Sequence, residues 1–309
     1  VAGWAPFTVF VAVLTVLLLL LSRQSQQLIE QLETSDSRQE LAGEEHPTSD
    51  TNHVTESRAN ETAETDADKP RRESGDSVQP EAGGTDRELS QPEKQEPLPA
   101  DYELTPKALL LNVGVTQGLV LVLILAAAWY FSIPAEAFGV TGEPMSTGVP
   151  AITAGVLFGV VLWIGNELST TVADAVGAAY DETVRELLAA DSPGGAIALF
   201  GVVLPIIAVA EELLFRAALI GVPAAGFDIS PWLLAVVASI AFALGHGAQG
   251  RVGIVVTGLL GFVLAAGYII SGSLLLVIVA HYVINALEFL LHEYLDIEGM
   301  VPGRFVGDY

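Results

Sequence analysis

Cysteine is absent from the 309 residues, which excludes disulfides, thiol nucleophiles and cysteine-ligated zinc. Positive charge is scarce. Only 13 Lys and Arg stand against 37 Asp and Glu, for a net charge of −24. Such a chain has little to set against a phosphate backbone, so nucleic acid is excluded as a partner. Acid-rich, lysine-poor composition suits high salt and points to a halophilic source. Yet 51% of the residues are hydrophobic, more than so acidic a soluble domain would carry.

The contradiction resolves along the chain. Residues 1–22 are almost wholly apolar, with Leu17 to Leu21 unbroken. Residues 23–106 hold 21 acidic and 8 basic side chains and almost no aromatics. That stretch cannot bury enough apolar surface to offset the entropy of ordering, so it reads as a disordered acidic linker. A short helix continues into it through Gln27 to Leu32. From Lys107 the chain is mostly apolar again. Four regions result: an N-terminal transmembrane anchor (1–22), the acidic linker (23–106), an intramembrane domain (107–295) and a C-terminal tail (296–309). The first span lacks a basic leading segment and a cleavage site, so it reads as a retained anchor, not a signal peptide.

Windows of about 20 apolar residues mark membrane spans. Seven occur, near 3–22, 108–132, 149–166, 196–220, 231–249, 252–271 and 273–291. The expected fold is an all-α polytopic membrane helix bundle of about seven transmembrane helices. Gly155-x-x-x-Gly159 would let two helices cross closely. Segment 167–194 starts at Glu167 and spaces Val172, Val176, Val184 and Leu188 helically, as an amphipathic surface helix does. One orientation places Arg23, Lys107, Arg185, Arg251 and Arg304 on the same side. The positive-inside rule then puts the linker and C-terminus in the cytoplasm. The sequon Asn60-Glu61-Thr62 falls on that side too and stays unmodified.

Ionisable residues inside apolar spans are costly, about 2.5–3.5 kcal/mol each at the bilayer centre, and need a partner or a task. The fourth span carries Glu211, Glu212 and Arg216. Glu212 and Arg216 are i,i+4 and share a face. Glu211 points about 100° away, so one carboxylate is held by arginine and the other is free for chemistry. The fifth span has His246 four residues after Phe242. The seventh has His281 and Asn285 on one face, extended by Glu288 and His292. Two carboxylates, two imidazoles, an amide and an arginine are the inventory for activating water and stabilising an oxyanion. The same residues also suit a structural ion-pair network or a proton pathway. His292-Glu293-Tyr294-Leu295-Asp296 imitates a zinc-binding His-Glu-x-x-His but ends in Asp, at the interface. No Gly-x-Ser-Gly is present for a serine mechanism. Tyr180-Asp181 has no Gly-x-Gly-Asp partner.

Glu211-Glu212-x-x-x-Arg216, Phe242-x-x-x-His246 and His281-x-x-x-Asn285, in order on successive spans, resemble the signature of the CPBP intramembrane proteases (the Abi family). That family includes the CAAX-processing endopeptidases of the Rce1 type. The resemblance covers about residues 107–292 and leaves out the first span and the linker. It implies a hydrolase of the cell membrane that cuts membrane proteins or lipidated peptides within the lipid bilayer. Carried over, Glu211 is the general base and His246 shares the water. His281 and Asn285 stabilise the oxyanion, while Glu212 and Arg216 order the site. The cofactor is either zinc, with His246 and His281 among its ligands, or none. A non-catalytic immunity or scaffold factor and a proton-coupled transporter stay open as alternatives. One difficulty stands: these span boundaries set Glu211 and His246 roughly 10–15 Å apart in depth.

Overall fold

A computed structural model describes residues 2–44, 106–175, 177, 183–189 and 192–295. The chain divides into two units, one of residues 1–35 with 104–309 and one of residues 36–103. All of the candidate membrane spans belong to the first unit. Most of the expected linker and the whole expected tail lie outside the described residues, as does the sequon.

Every regular element among the described residues is a helix. The helices are α1 (Trp4–Glu44), α2 (Pro106–Tyr130), α3 (Pro144–Thr147), α4 (Val149–Ala175) and α5 (Thr183–Leu188). They continue with α6 (Pro193–Phe227), α7 (Pro231–Gly245), α8 (Gly250–Ser271) and α9 (Leu274–Tyr294). Six are long and apolar enough to cross a membrane, which supports a multi-pass membrane protein.

Three expectations need correction. The first concerns the fifth span. α7 has only 15 residues and rises about 22 Å, short of the ~30 Å hydrocarbon core. Gly245 and Gly247 end the helix early, inside the apolar run. Second, α4 does not stop at residue 166. It continues through Glu167 to Ala175, because His292 Nε2 reaches Glu167 Oε1 at 2.8 Å and satisfies the carboxylate. Of the segment expected as a surface helix, 167–175 belong to α4 and Thr183–Leu188 form the short α5. Third, the helix after the first span runs to Glu44 rather than Leu32.

α6 changes pitch twice, with π-helical stretches at Leu199–Val203 and Leu213–Gly221. Each ends just before a proline, Pro205 and Pro223. A proline ring inside a helix clashes with the carbonyl four residues back, and a wider turn relieves that clash. The second stretch begins directly after Glu211-Glu212.

α4 and α9 pack closely. A Cβ added to Gly155 would lie 2.6 Å from Leu276 O, and one added to Gly159 would lie 2.7 Å from Ala280 O. The expected small-residue crossing is therefore present, and it fixes the turn of α9 that carries His281. α8 passes to α9 through Gly272, whose φ of +62° is a left-handed conformation suited to glycine. Ser273 then caps α9 by accepting from Leu276 N–H, and its hydroxyl donates to Ser146 O at 2.8 Å.

α1 is anchored at its start. Gly3 N–H donates to Phe131 O at 2.7 Å, and Phe7 meets Phe138 edge-on at 5.8 Å. Phe7 and Val11 are fully buried, whereas Leu17, Leu20 and Leu21 are exposed. Trp129 and Tyr130 at the end of α2, with Trp232 at the start of α7, are also exposed. Aromatics in such places suit a membrane interface.

Candidate active site

Glu211 lies near the middle of the 35-residue α6. Because α7 is short, its C-terminal end arrives at the same level, and His246 follows at once. Their Oε2 and Nε2 atoms are 4.0 Å apart. The 10–15 Å depth difference expected from the sequence is absent.

Glu212 is completely buried and Arg216 almost so. Arg216 Nη1 donates to Glu212 Oε1 at 2.8 Å. The second Arg216 amino group donates to Gly261 O at 3.1 Å. The guanidinium lies 4.6 Å over the Phe242 ring, a cation–π contact in a desolvated place. A Cβ on Gly261 would meet Phe242 Cδ1 at 2.9 Å, so glycine leaves room for both contacts.

His281 comes from α9. Its Nδ1 lies 2.7 Å from Glu212 Oε1, and its Nε2 lies 3.8 Å from Glu211 Oε2. Glu212 therefore holds arginine and histidine with one oxygen. His246 Nδ1 lies 2.8 Å from Phe242 O. That carbonyl can only accept, so Nδ1 carries a hydrogen and Nε2 is the nitrogen turned toward Glu211. Phe242 thus has two tasks, one for its carbonyl and one for its ring. Its ring also lies 4.5 Å from the His246 ring, centroid to centroid.

Glu211 is not unpartnered. Gln117 Nε2 on α2 donates to Glu211 Oε1 at 3.1 Å. Sequence reasoning missed Gln117, an amide in an apolar helix with no motif around it. The other oxygen, Glu211 Oε2, is buried without a hydrogen-bond partner and faces Nε2 of both histidines.

Glu211, His246, His281 and Asn285 line one cavity of about 450 Å³. The structure thus brings all six sequence-derived residues together: five in mutual contact or near-contact, and Asn285 on the cavity wall. The same cavity reaches Asn166, Arg185 and Glu288. There Arg185 bonds Glu288 Oε1 at 3.1 Å and Glu293 Oε1 at 2.7 Å, tying α5 to α9. Glu167, Glu288 and His292 have donor atoms all within 4.8 Å of one another, close enough to share a cation. His292 and Glu293, read from sequence as interfacial, are half-buried in this group.

Glu211, His246 and His281 do not form a closed zinc site as they stand: among the described residues the group whose donor atoms all lie within 4.8 Å of one another is Glu167, Glu288 and His292. Ligand atoms about 2.0–2.1 Å from a zinc ion stand about 3.4 Å apart in a tetrahedral site. The observed separations of 3.8 and 4.0 Å are slightly wider. Each imidazole has its Nδ1 on an outer acceptor, as metal-bound histidines do.

No curated protein and no solved structure matches the chain. Residues 193–287 match a family model described as Rce1-like, type II CAAX prenyl endopeptidase Rce1-like. The chain thus carries an Rce1-like region from the start of α6 into α9, holding the Glu/Glu/Arg, His and His/Asn elements, while α1, α2 and α4 lie outside it.

Proposed function

We propose that this chain is an intramembrane endopeptidase that hydrolyses peptide bonds of membrane-associated substrates, with CAAX-type lipidated peptides as one class. The observation that carries the reading is Glu211 Oε2. It is buried, without a hydrogen-bond partner, and faces the Nε2 atoms of two histidines at 4.0 and 3.8 Å. A water held there gives its proton to Glu211 or His246 as its oxygen attacks the substrate carbonyl carbon. The tetrahedral oxyanion takes hydrogen bonds from the Asn285 amide and from His281 Nε2 when that nitrogen carries a proton. The C–N bond then breaks, and the proton held by Glu211 or His246 passes to the leaving amine. Glu212 and Arg216 do not touch the reacting atoms; they hold His281 and Phe242 in place. A zinc ion, where the reaction uses one, would need His246 and His281 to close toward Glu211 before the three could hold it. It would act as a Lewis acid on the water.

The chain's own arginines favour an orientation with the linker and C-terminus in the cytoplasm.

The test compares peptide termini in membranes of cells carrying the wild-type protein with those of cells carrying Glu211→Gln at equal abundance. Termini that vanish in the variant are expected, and they would name the substrate. Identical termini, with the wild-type protein folded and expressed where its deletion has a phenotype, would overturn the reading in favour of a non-catalytic role.

A further inference from the structure

A second cavity, of about 420 Å³, lies on the other side of Glu211 and His246. Both cavities share Gln117, Glu211, Gly245 and His246 in their walls. The candidate catalytic pair therefore stands where two chambers meet. The chambers differ in character. The first holds Arg185, Glu288 and His281. The second has no ionisable side chain apart from the shared pair; Leu18, Leu19, Val120, Leu214 and Phe215 make up most of its apolar wall, with the neutral polar Thr15, Ser22, Asn112, Thr116 and Gln117 among them.

α1 supplies one side of this second chamber. Leu19 Cδ2 lies 3.8 Å from where a Cβ on Gly245 would sit. Ser22 Oγ donates to Gly245 O at 3.1 Å, one residue before His246. α1 is anchored at Phe7 and Val11, and its later turns stand over the cavity. Thr15 marks the change. Its hydroxyl bonds back to Val11 O at 2.8 Å, a contact that bends helices slightly. The volume falls within the range of ligand pockets, about 300–1,000 Å³.

We propose that α1 is part of the substrate-binding site, and that the chamber it walls takes a large apolar side chain next to the scissile bond. The inference rests on the peptidase reading above and deepens it. A peptide lying across Glu211 has one flank in a chamber with charged groups and the other in an apolar one. Burying a Leu or Phe side chain favours binding, whereas a charged residue there would lose its hydration without a partner. α1 lies outside the matched region, whereas Leu214 and Phe215 lie within it.

The test uses the full chain in nanodiscs with a proteome-derived peptide mixture as probe, and Glu211→Gln as the blank. Each cut is read for the residues on its two sides. Wild type is expected to enrich large aliphatic or aromatic residues on one side. Leu19→Trp fills the chamber, and should lower large residues on that side at least fivefold in favour of Gly and Ala. The opposite side should not change. Leu18→Ala enlarges the chamber and should raise Trp on the same side. Leu20→Trp, on the exposed face of α1, should leave the profile as in wild type. A wild-type profile on both sides in Leu19→Trp and Leu18→Ala, or no apolar preference in wild type, would overturn the proposal while leaving the peptidase reading intact. Wild type indistinguishable from Glu211→Gln would instead overturn the peptidase reading and this inference with it.

Discussion

Gln117 on α2 donates a hydrogen bond to Glu211 Oε1 on α6, 94 residues later in the chain. The bond turns the carboxylate so that Oε2 is the oxygen facing His246 and His281. A hydrogen bond to a charged group contributes about 1.5–3 kcal/mol. Gln117→Met keeps the length and removes the donor. It is expected to lower kcat by roughly ten- to hundredfold with KM changed less, since Gln117 is one of many residues lining the two cavities. Steady-state kinetics on a peptide found by the terminus comparison check this. A fall confined to KM would show that Gln117 binds substrate and does not orient Glu211.

Glu211 and Glu212 should fail differently when changed. Glu211 borders both cavities, so Glu211→Gln and His246→Ala should abolish cleavage while abundance and thermal stability stay near wild type. Full activity in either variant would refute the assigned chemistry.

Arg216→Met should act on stability. It leaves Glu212 buried with one partner fewer, and breaking a buried pair from one side costs about 3–5 kcal/mol. Protein abundance and the thermal midpoint in detergent should both fall. Adding Glu212→Gln to Arg216→Met should recover part of the loss, since the stranded charge is then gone. A double variant less stable than Arg216→Met would contradict this account.

The sequence made the centre of the site legible because its chemistry is short-range. Spacing alone put Glu212 and Arg216 on one face, and intramembrane charges are rare enough to stand out. Gly155 and Gly159 also showed their purpose, since two small residues a turn apart have few other reasons to be in an apolar helix. Depth was not legible. The apolar run over 231–249 has the length of a span, and only the glycines at its end make α7 stop at the level of Glu211. Glu167 misled for the opposite reason: a charge that looks like a helix leaving the membrane is satisfied by His292, 125 residues away. Gln117 carried no signal, because an isolated amide shows its role only once its partner is known. The chamber under α1 was equally hidden, since nothing in residues 1–22 indicates what they pack against.

The α4–α9 crossing yields a test of how far His281 can move. An added Cβ at Gly159 would lie 2.7 Å from Ala280 O and 2.8 Å from Val283 Cβ. Neither neighbour is the flexible end of a long side chain, so the helices must separate. Overpacking of this kind costs about 1–3 kcal/mol. It also draws His281, the next residue after Ala280, away from Glu211 and Glu212. Gly159→Ala is therefore expected to lower both the thermal midpoint and the cleavage rate. Gly165→Ala is the matched control. It lies on the same helix with nothing within 4 Å of its added Cβ, and better helix propensity should stabilise it by up to about 1 kcal/mol. Thermal unfolding in detergent and the cleavage rate of each variant decide the matter. If Gly159→Ala matched Gly165→Ala in both, the close crossing would not be what fixes His281.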